Sequence, residues 1–188
     1  MADIWDAGQY LRFGGERSRP FFDLIAQVGA TDPRYVADLG CGPGNLTAVL
    51  AQRWPDATVV GVDNSPEMIA TATRDVAPGV ANLAFQIGDV WDWRPDRPVD
   101  VLACNAVLQW VPDHQRLLLN WTELLAPGGW LVLTDLFSAW LAPTLVGSRR
   151  GKARTKRRAD RMLASAGFQG TRWHDVEAVI LRAVAARR

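Results

Sequence analysis

Ten residues constrain this chain more than any others: Val36-Ala37-Asp38-Leu39-Gly40-Cys41-Gly42-Pro43-Gly44-Asn45. Tyr35, Val36, Ala37 and Leu39 are apolar, and Leu46, Val49 and Leu50 recur at helical spacing, so the stretch reads as a short buried strand, a glycine turn and a helix start. Glycine at alternate positions lets the backbone turn sharply and lets a ligand approach where a Cβ would clash. Downstream, Thr58-Val59-Val60-Gly61-Val62 reads as a second strand ending in Asp63. Nucleotide-binding α/β folds place an acceptor for ribose hydroxyls at the tip of the second strand, about 20 residues past the glycines. A tight turn with no ligand remains the bland alternative.

A dinucleotide fingerprint expects G-x-G-x-x-G, whereas this turn has G-x-G-x-G led by Asp38. Asp38 to Gly44 resembles the first motif of the class I methyltransferases that use S-adenosylmethionine (SAM). The resemblance implies that Asp38, Gly40, Cys41, Gly42 and Gly44 form the turn facing the amino-acid end of SAM. It also implies that Asp63, with Asn64 beside it, holds the ribose. S-adenosylhomocysteine (SAH) would be the product, and no metal is expected.

At 188 residues the chain suits one domain, and an apolar share of 48% is ample for a core. Residues 1–148 hold 9 basic against 17 acidic side chains, and residues 149–188 hold 12 basic against 3 acidic, so an acidic body precedes a basic tail. Two cysteines, Cys41 and Cys104, do not make a disulfide framework, and a reducing cytoplasm is the simpler expectation. Asp3 and Asp6 near the start argue against a signal peptide. No stretch reaches the roughly 20 apolar residues of a membrane span.

Taken in order, Gly14-Gly15 leads to an amphipathic helix over Pro20–Val28. Ile4-Trp5-Asp6, Tyr10 to Gly14 and Glu16 to Pro20 resemble the opening of the trans-aconitate methyltransferases, where this segment closes over the SAM site. That makes Trp5, Tyr10 and Arg19 candidate lid or substrate residues, and an aromatic face near a sulfonium gains cation–π attraction. A helix over Asn45–Trp54 follows the glycine turn; past Asp63, Ser65 reads as an N-cap with Pro66 at the first helical position. A third strand, Asn82–Ile87, leads to Gly88-Asp89-Val90-Trp91. This resembles the family's adenine-binding motif, with Asp89 on the exocyclic amine and Val90 and Trp91 beside the ring. Asp92 is an alternative partner, and Asp89 as a plain turn cap is another reading.

Pro98–Cys104 reads as a buried strand that opens onto Asn105-Ala106 and Gln109-Trp110, on the same crevice as the glycine turn, since ligands sit beyond the carboxyl ends of parallel strands. Asn105 to Pro112 also resembles the trans-aconitate enzymes, which marks Asn105 and Ala106 for the cofactor and Gln109 and Trp110 for the substrate. His114 reads as a surface or capping residue. A helix over Asp113–Leu125, the turn Ala126-Pro127-Gly128-Gly129 and a strand over Trp130–Thr134 complete the core. The expected fold is α/β: a doubly wound, mostly parallel, Rossmann-like seven-stranded sheet whose last strand is antiparallel. The expected organisation is one domain over 1–188: an N-terminal lid and helix at 1–29, a SAM-binding core at 35–134, and a shortened acceptor-side segment with the final strands at 135–188.

From Asp135 the resemblance changes. Trans-aconitate methyltransferases continue into a long helical cap, but only about 32 residues precede Gly167-Phe168 here. Arg172 to Val184 looks instead like the last strands of other class I methyltransferases. Leu136–Ser148 carries no charge, Arg149–Arg158 holds 7 basic residues in 10, and a helix is expected over Thr155–Ala166. Residues 136–158 are therefore a candidate surface for peripheral membrane contact, with a solvated loop as the plainer reading. Nucleic acid is not expected, because no aromatic residues interleave the arginines.

Three functions follow. The first is methyl-ester formation on a small carboxylate such as trans-aconitate, with Arg12, Arg17, Arg19 or Arg149 as candidate cations. The second is methylation of a lipophilic quinol or lipid, which needs a base and offers His174 or Asp135. The third is SAM binding without turnover.

Overall fold

A computed structural model describes residues 14–135, 161, 164–165, 168–175 and 182–187 of the 188. Seven strands form one sheet in the order β3-β2-β1-β4-β5-β7-β6. They are β1 (Tyr35–Leu39), β2 (Thr58–Asp63), β3 (Leu83–Ile87), β4 (Val99–Asn105), β5 (Leu125–Asp135), β6 (Gln169–Asp175) and β7 (Arg182–Arg187). The helices are α1 (Gly14–Ala26), α2 (Asn45–Arg53), α3 (Pro66–Asp75) and α4 (His114–Leu124), with a 3₁₀ turn over Leu108–Trp110. β1 to β5 pair in parallel, and β7 pairs antiparallel with both β5 and β6. Parallel pairing thus runs through β1 to β5, and β7, the last strand, runs antiparallel to both of its neighbours.

Alternation along the strands builds a core on each face of the sheet. Val36, Val59, Val101, Ala103 and Val132 face one side, where Phe21, Leu24 and Ile25 of α1 and Leu50 and Ala51 of α2 cover them. Ala37, Leu39, Val60, Val62, Leu102, Cys104, Leu131 and Leu133 face the other, under Leu117, Leu118 and Trp121 of α4. The parity of β1 and β4 is fixed at their starts: Asp100 Oδ2 accepts the Arg34 and Tyr35 amides at 2.7 and 2.9 Å. Asn82 Nδ2 donates to the Ala51, Trp54 and Ala57 carbonyls, which secures the α2–β2 connection.

Most boundaries shift by a single residue, and two differ by more. α1 begins at Gly14 rather than Pro20, so the glycine pair lies inside the helix; propensity is a weak prior that context overrides. β5 begins at Leu125, and the expected Ala126–Gly129 turn is an excursion inside it, where the pairing with β4 shifts register between Val99 and Val101. A Cβ on Gly129 would lie 2.9 Å from the Ala126 and Val99 carbonyl oxygens, so only glycine lets the excursion fold back onto β4. Among the described residues no helix is long and apolar enough to cross a membrane.

Candidate functional site

The carboxyl ends of β1, β2, β3 and β4 surround a cavity of about 600 Å³. Gly40 and Gly42 line it from the first turn, Asp63 and Asn64 from the second strand end, and Asp89, Val90 and Trp91 from the third. Asn105, Ala106 and Trp110 complete the wall beyond β4. Ten residues singled out in the sequence therefore meet at one crevice.

The turns are bonded to one another. Gly40 and Cys41 amides donate to the Val62 carbonyl at 2.8 and 3.0 Å, so the glycine turn continues the β1–β2 pairing past the end of β1. Asp63 Oδ2 accepts the Gly42 amide and Oδ1 accepts the Ser65 amide, both at 2.9 Å. One carboxylate thereby fixes the glycine turn and the entry to α3. Ser65 caps α3 through the Met68 amide, with Pro66 next, as the sequence indicated.

Gly40 and Gly42 both have positive φ, +75° and +54°, yet their surroundings are opposite. A Cβ on Gly40 would come within 2.1 Å of Val107 Cγ2, whereas one on Gly42 would meet nothing within 4 Å. Gly40 is thus required by packing, and Gly42 leaves bare backbone against the cavity. Val107 reaches Gly40 because Ala106 takes φ 56°, a left-handed conformation rare outside glycine, asparagine and aspartate. The Ala106 amide donates to the Thr134 carbonyl at 2.7 Å, and the Thr134 hydroxyl donates to Asn105 Oδ1.

At the third strand end Asp89 Oδ1 accepts the Trp91 amide at 2.8 Å, and its carbonyl accepts the Asp92 and Trp93 amides. Asp89 is therefore a turn cap and a cavity residue together, and Asp92 is not among the lining residues. Trp121 of α4, 1% exposed, donates its indole N–H to the Val90 carbonyl at 2.9 Å and holds this loop from beneath.

Three residues of the glycine motif lie off the cavity. Asp38 is 2% exposed and accepts the Thr47 hydroxyl at 2.7 Å. It shares the parity of Val36, which turns it toward α2 and away from the crevice. Burial, with the nearby Asp63 charge adding to it, raises its pKa to about 6 against the opposing Thr47 bond. Gly44 sits at φ 84°, where a Cβ would strike the Phe85 ring at 2.4 Å, so it serves the packing of α2 on β3. Cys41 is buried with its sulfur directed at Gly61; burial and then the charges of Asp38 and Asp63 push its thiol pKa far up.

Trp110 is 62% exposed and lines the cavity, so it is no core residue. His114 starts α4, with Nδ1 3.4 Å from the Val111 carbonyl. Arg17 and Arg19 lie on α1, Gln109 in the 3₁₀ turn, Asp135 at the end of β5 and His174 on β6, with their side chains outside the described part. Trp5, Tyr10, Arg12, Arg149 and residues 136–158 lie outside the described residues altogether. Sequence reasoning missed Pro43, Met68, Val107, Val111 and Pro112 as cavity residues, together with Ser65 and Pro66 as wall. The helix-start signal at Ser65-Pro66, two residues past Asp63, was the cue that could have placed the start of α3 in the cavity wall.

A family model described as a methyltransferase domain matches residues 36–129. The trans-aconitate 2-methyltransferase of Streptomyces coelicolor is 45% identical over 179 residues, covering 89% of this chain and 59% of its own length. That of Mycobacterium sp. strain KMS is 51% identical over 130 residues, covering 69% of this chain and 49% of its own. The chain thus spans about half to three-fifths of the length of these curated relatives. A solved S-adenosylmethionine-dependent methyltransferase from Mesorhizobium loti superposes with a TM-score of 0.71 at 20% identity, over 93% of this chain and 99% of that one, a likeness of fold.

Proposed function

This chain belongs to the methyltransferase-domain family, and from that premise we propose that it moves a methyl group from SAM to a small carboxylic acid, with trans-aconitate the first acceptor to test. The observation that carries the reading is the single cavity joining Gly40, Gly42, Asp63 and Asp89 to the rim at Asn105. The residues present fit the cofactor. Gly42 leaves backbone open to the cavity, and among the described residues the charged side chains lining it, Asp63 and Asp89, are acids, the sign that attracts a sulfonium.

When bound, SAM supplies a methyl already activated by its sulfonium. Asp63 takes the ribose hydroxyls in this reading: each carboxylate oxygen accepts one backbone amide and keeps a second lone pair. Asp89 and the Val90–Trp91 backbone take the adenine, and the glycine turn takes the amino-acid end. A carboxylic acceptor is ionised near pH 7, so its attack needs no proton removed. The protein's task is then alignment and exclusion of water, effects that supply about 7–11 kcal/mol. Support for the acceptor comes from the names of the relatives.

Calorimetry with SAM, SAH and NAD, followed by labelled methyl transfer to trans-aconitate, related acids and quinols, tests this. SAM and SAH should bind more tightly than NAD, and label should enter an acid. Equal binding of NAD sinks the cofactor, and label appearing only in quinols sinks the acceptor.

A further inference from the structure

Thr134 stands behind the cavity rim at the end of β5, 1% exposed, and grips two rim residues at once. Its carbonyl accepts the Ala106 amide at 2.7 Å, and its hydroxyl donates to Asn105 Oδ1. Asn105 is partly exposed and lines the cavity. An asparagine amide has an acceptor oxygen and a two-proton donor nitrogen. With the oxygen engaged at the rear, the nitrogen is what the side chain has left to offer, and among the described residues no hydrogen bond engages it. The turn cannot easily relax, because Ala106 is held left-handed and Val107 is seated on Gly40.

The remaining wall sets what this donor is for. Among the described residues, the charged side chains lining the cavity are the carboxylates of Asp63 and Asp89, which accept and do not donate. We propose that Thr134 is a positioning residue that presents the Asn105 amide as a fixed donor to a carboxylate in the cavity. This rests on the SAM reading above, which brings two such groups: the carboxylate of the cofactor's amino-acid end and that of the acceptor.

The test uses the full chain, the variants Asn105→Asp, Thr134→Val and Thr134→Ser, and three probes. SAH carries the amino-acid carboxylate, 5′-methylthioadenosine keeps the nucleoside and thioether without it, and trans-aconitate reports on the acceptor. If the cofactor's carboxylate is the partner, Asn105→Asp and Thr134→Val should weaken SAH by about ten- to a hundredfold and leave methylthioadenosine unchanged. If the acceptor's is, SAH affinity should hold while KM for trans-aconitate rises by a similar factor at unchanged kcat. In either arm Thr134→Ser, which keeps the hydroxyl, should restore the parent value. Equal weakening of SAH and methylthioadenosine, or no change in any probe, overturns the proposal while the SAM reading stands. Failure of the parent chain to bind either nucleoside overturns both.

Discussion

Asp38 illustrates how much one side chain's direction matters. It heads the glycine motif in sequence, yet strand parity sends it to Thr47 beneath α2, in surroundings that favour its neutral form. Its folded pKa of about 6 lies above the usual 3.8, so the native state holds this proton more tightly than the unfolded chain does. The resulting stabilisation is complete below about pH 4 and disappears as pH rises through 6. The gap between the two values corresponds to roughly 3 kcal/mol. Asp38→Asn keeps an acceptor for Thr47 and removes the titration. Urea unfolding from pH 4 to 7 should therefore show the variant gaining on the parent up to about pH 6 and then levelling off; parallel curves would contradict it. Gly40, Gly42, Asp63 and Asp89 were legible in the sequence because each sits at a strand end, where local pattern sets position. Asp38, Cys41 and Gly44 were not, because whether a residue at a turn points outward or into packing depends on contacts with Thr47, Gly61 and Phe85 that form only once α2, β2 and β3 pack against the turn.

Among the elements, α4 does more than cover the sheet. Its Trp121 indole is the donor for the Val90 carbonyl, so the helix sets the height of the β3–β4 loop at the cavity. Trp121→Phe keeps an aromatic ring there, removes the donor and leaves a small void. A cost of about 2–3 kcal/mol is expected, together with faster amide exchange at Asp89–Trp93 than in β1 and β2. Uniform acceleration across the sheet would argue against a local anchor. The order of strands and helices from β1 to β5 could be read from periodicity, since each buried strand is a short apolar run bounded by turn residues. The bounds of α1 and β5 could not. Gly14-Gly15 and Pro127-Gly128-Gly129 look like punctuation, and only the pairing of β5 with β4 absorbs the second of them into a strand.

At the scale of the molecule, both hydrophobic cores share the same central strands, so neither face can be lost alone. A ligand gripping the ends of β1, β2 and β4 should therefore stabilise the whole sheet. SAH at a hundred times its Kd should add about 2.7 kcal/mol, which for a chain of this size raises Tm by about 5–10 °C. Thermal melts with SAH and with NAD at the same concentration check this, and an SAH shift no larger than that with NAD would speak against a nucleoside at those strand ends.

The bridge from Asp63 to Gly42 and Ser65 has a consequence for how quickly such a pocket can fill. Because the carboxylate already braces both loops, an arriving nucleoside meets a preassembled surface there. Little chain entropy is surrendered at those strand ends on association, so encounter and desolvation, rather than loop reorganisation, set the pace at which that half of the pocket loads.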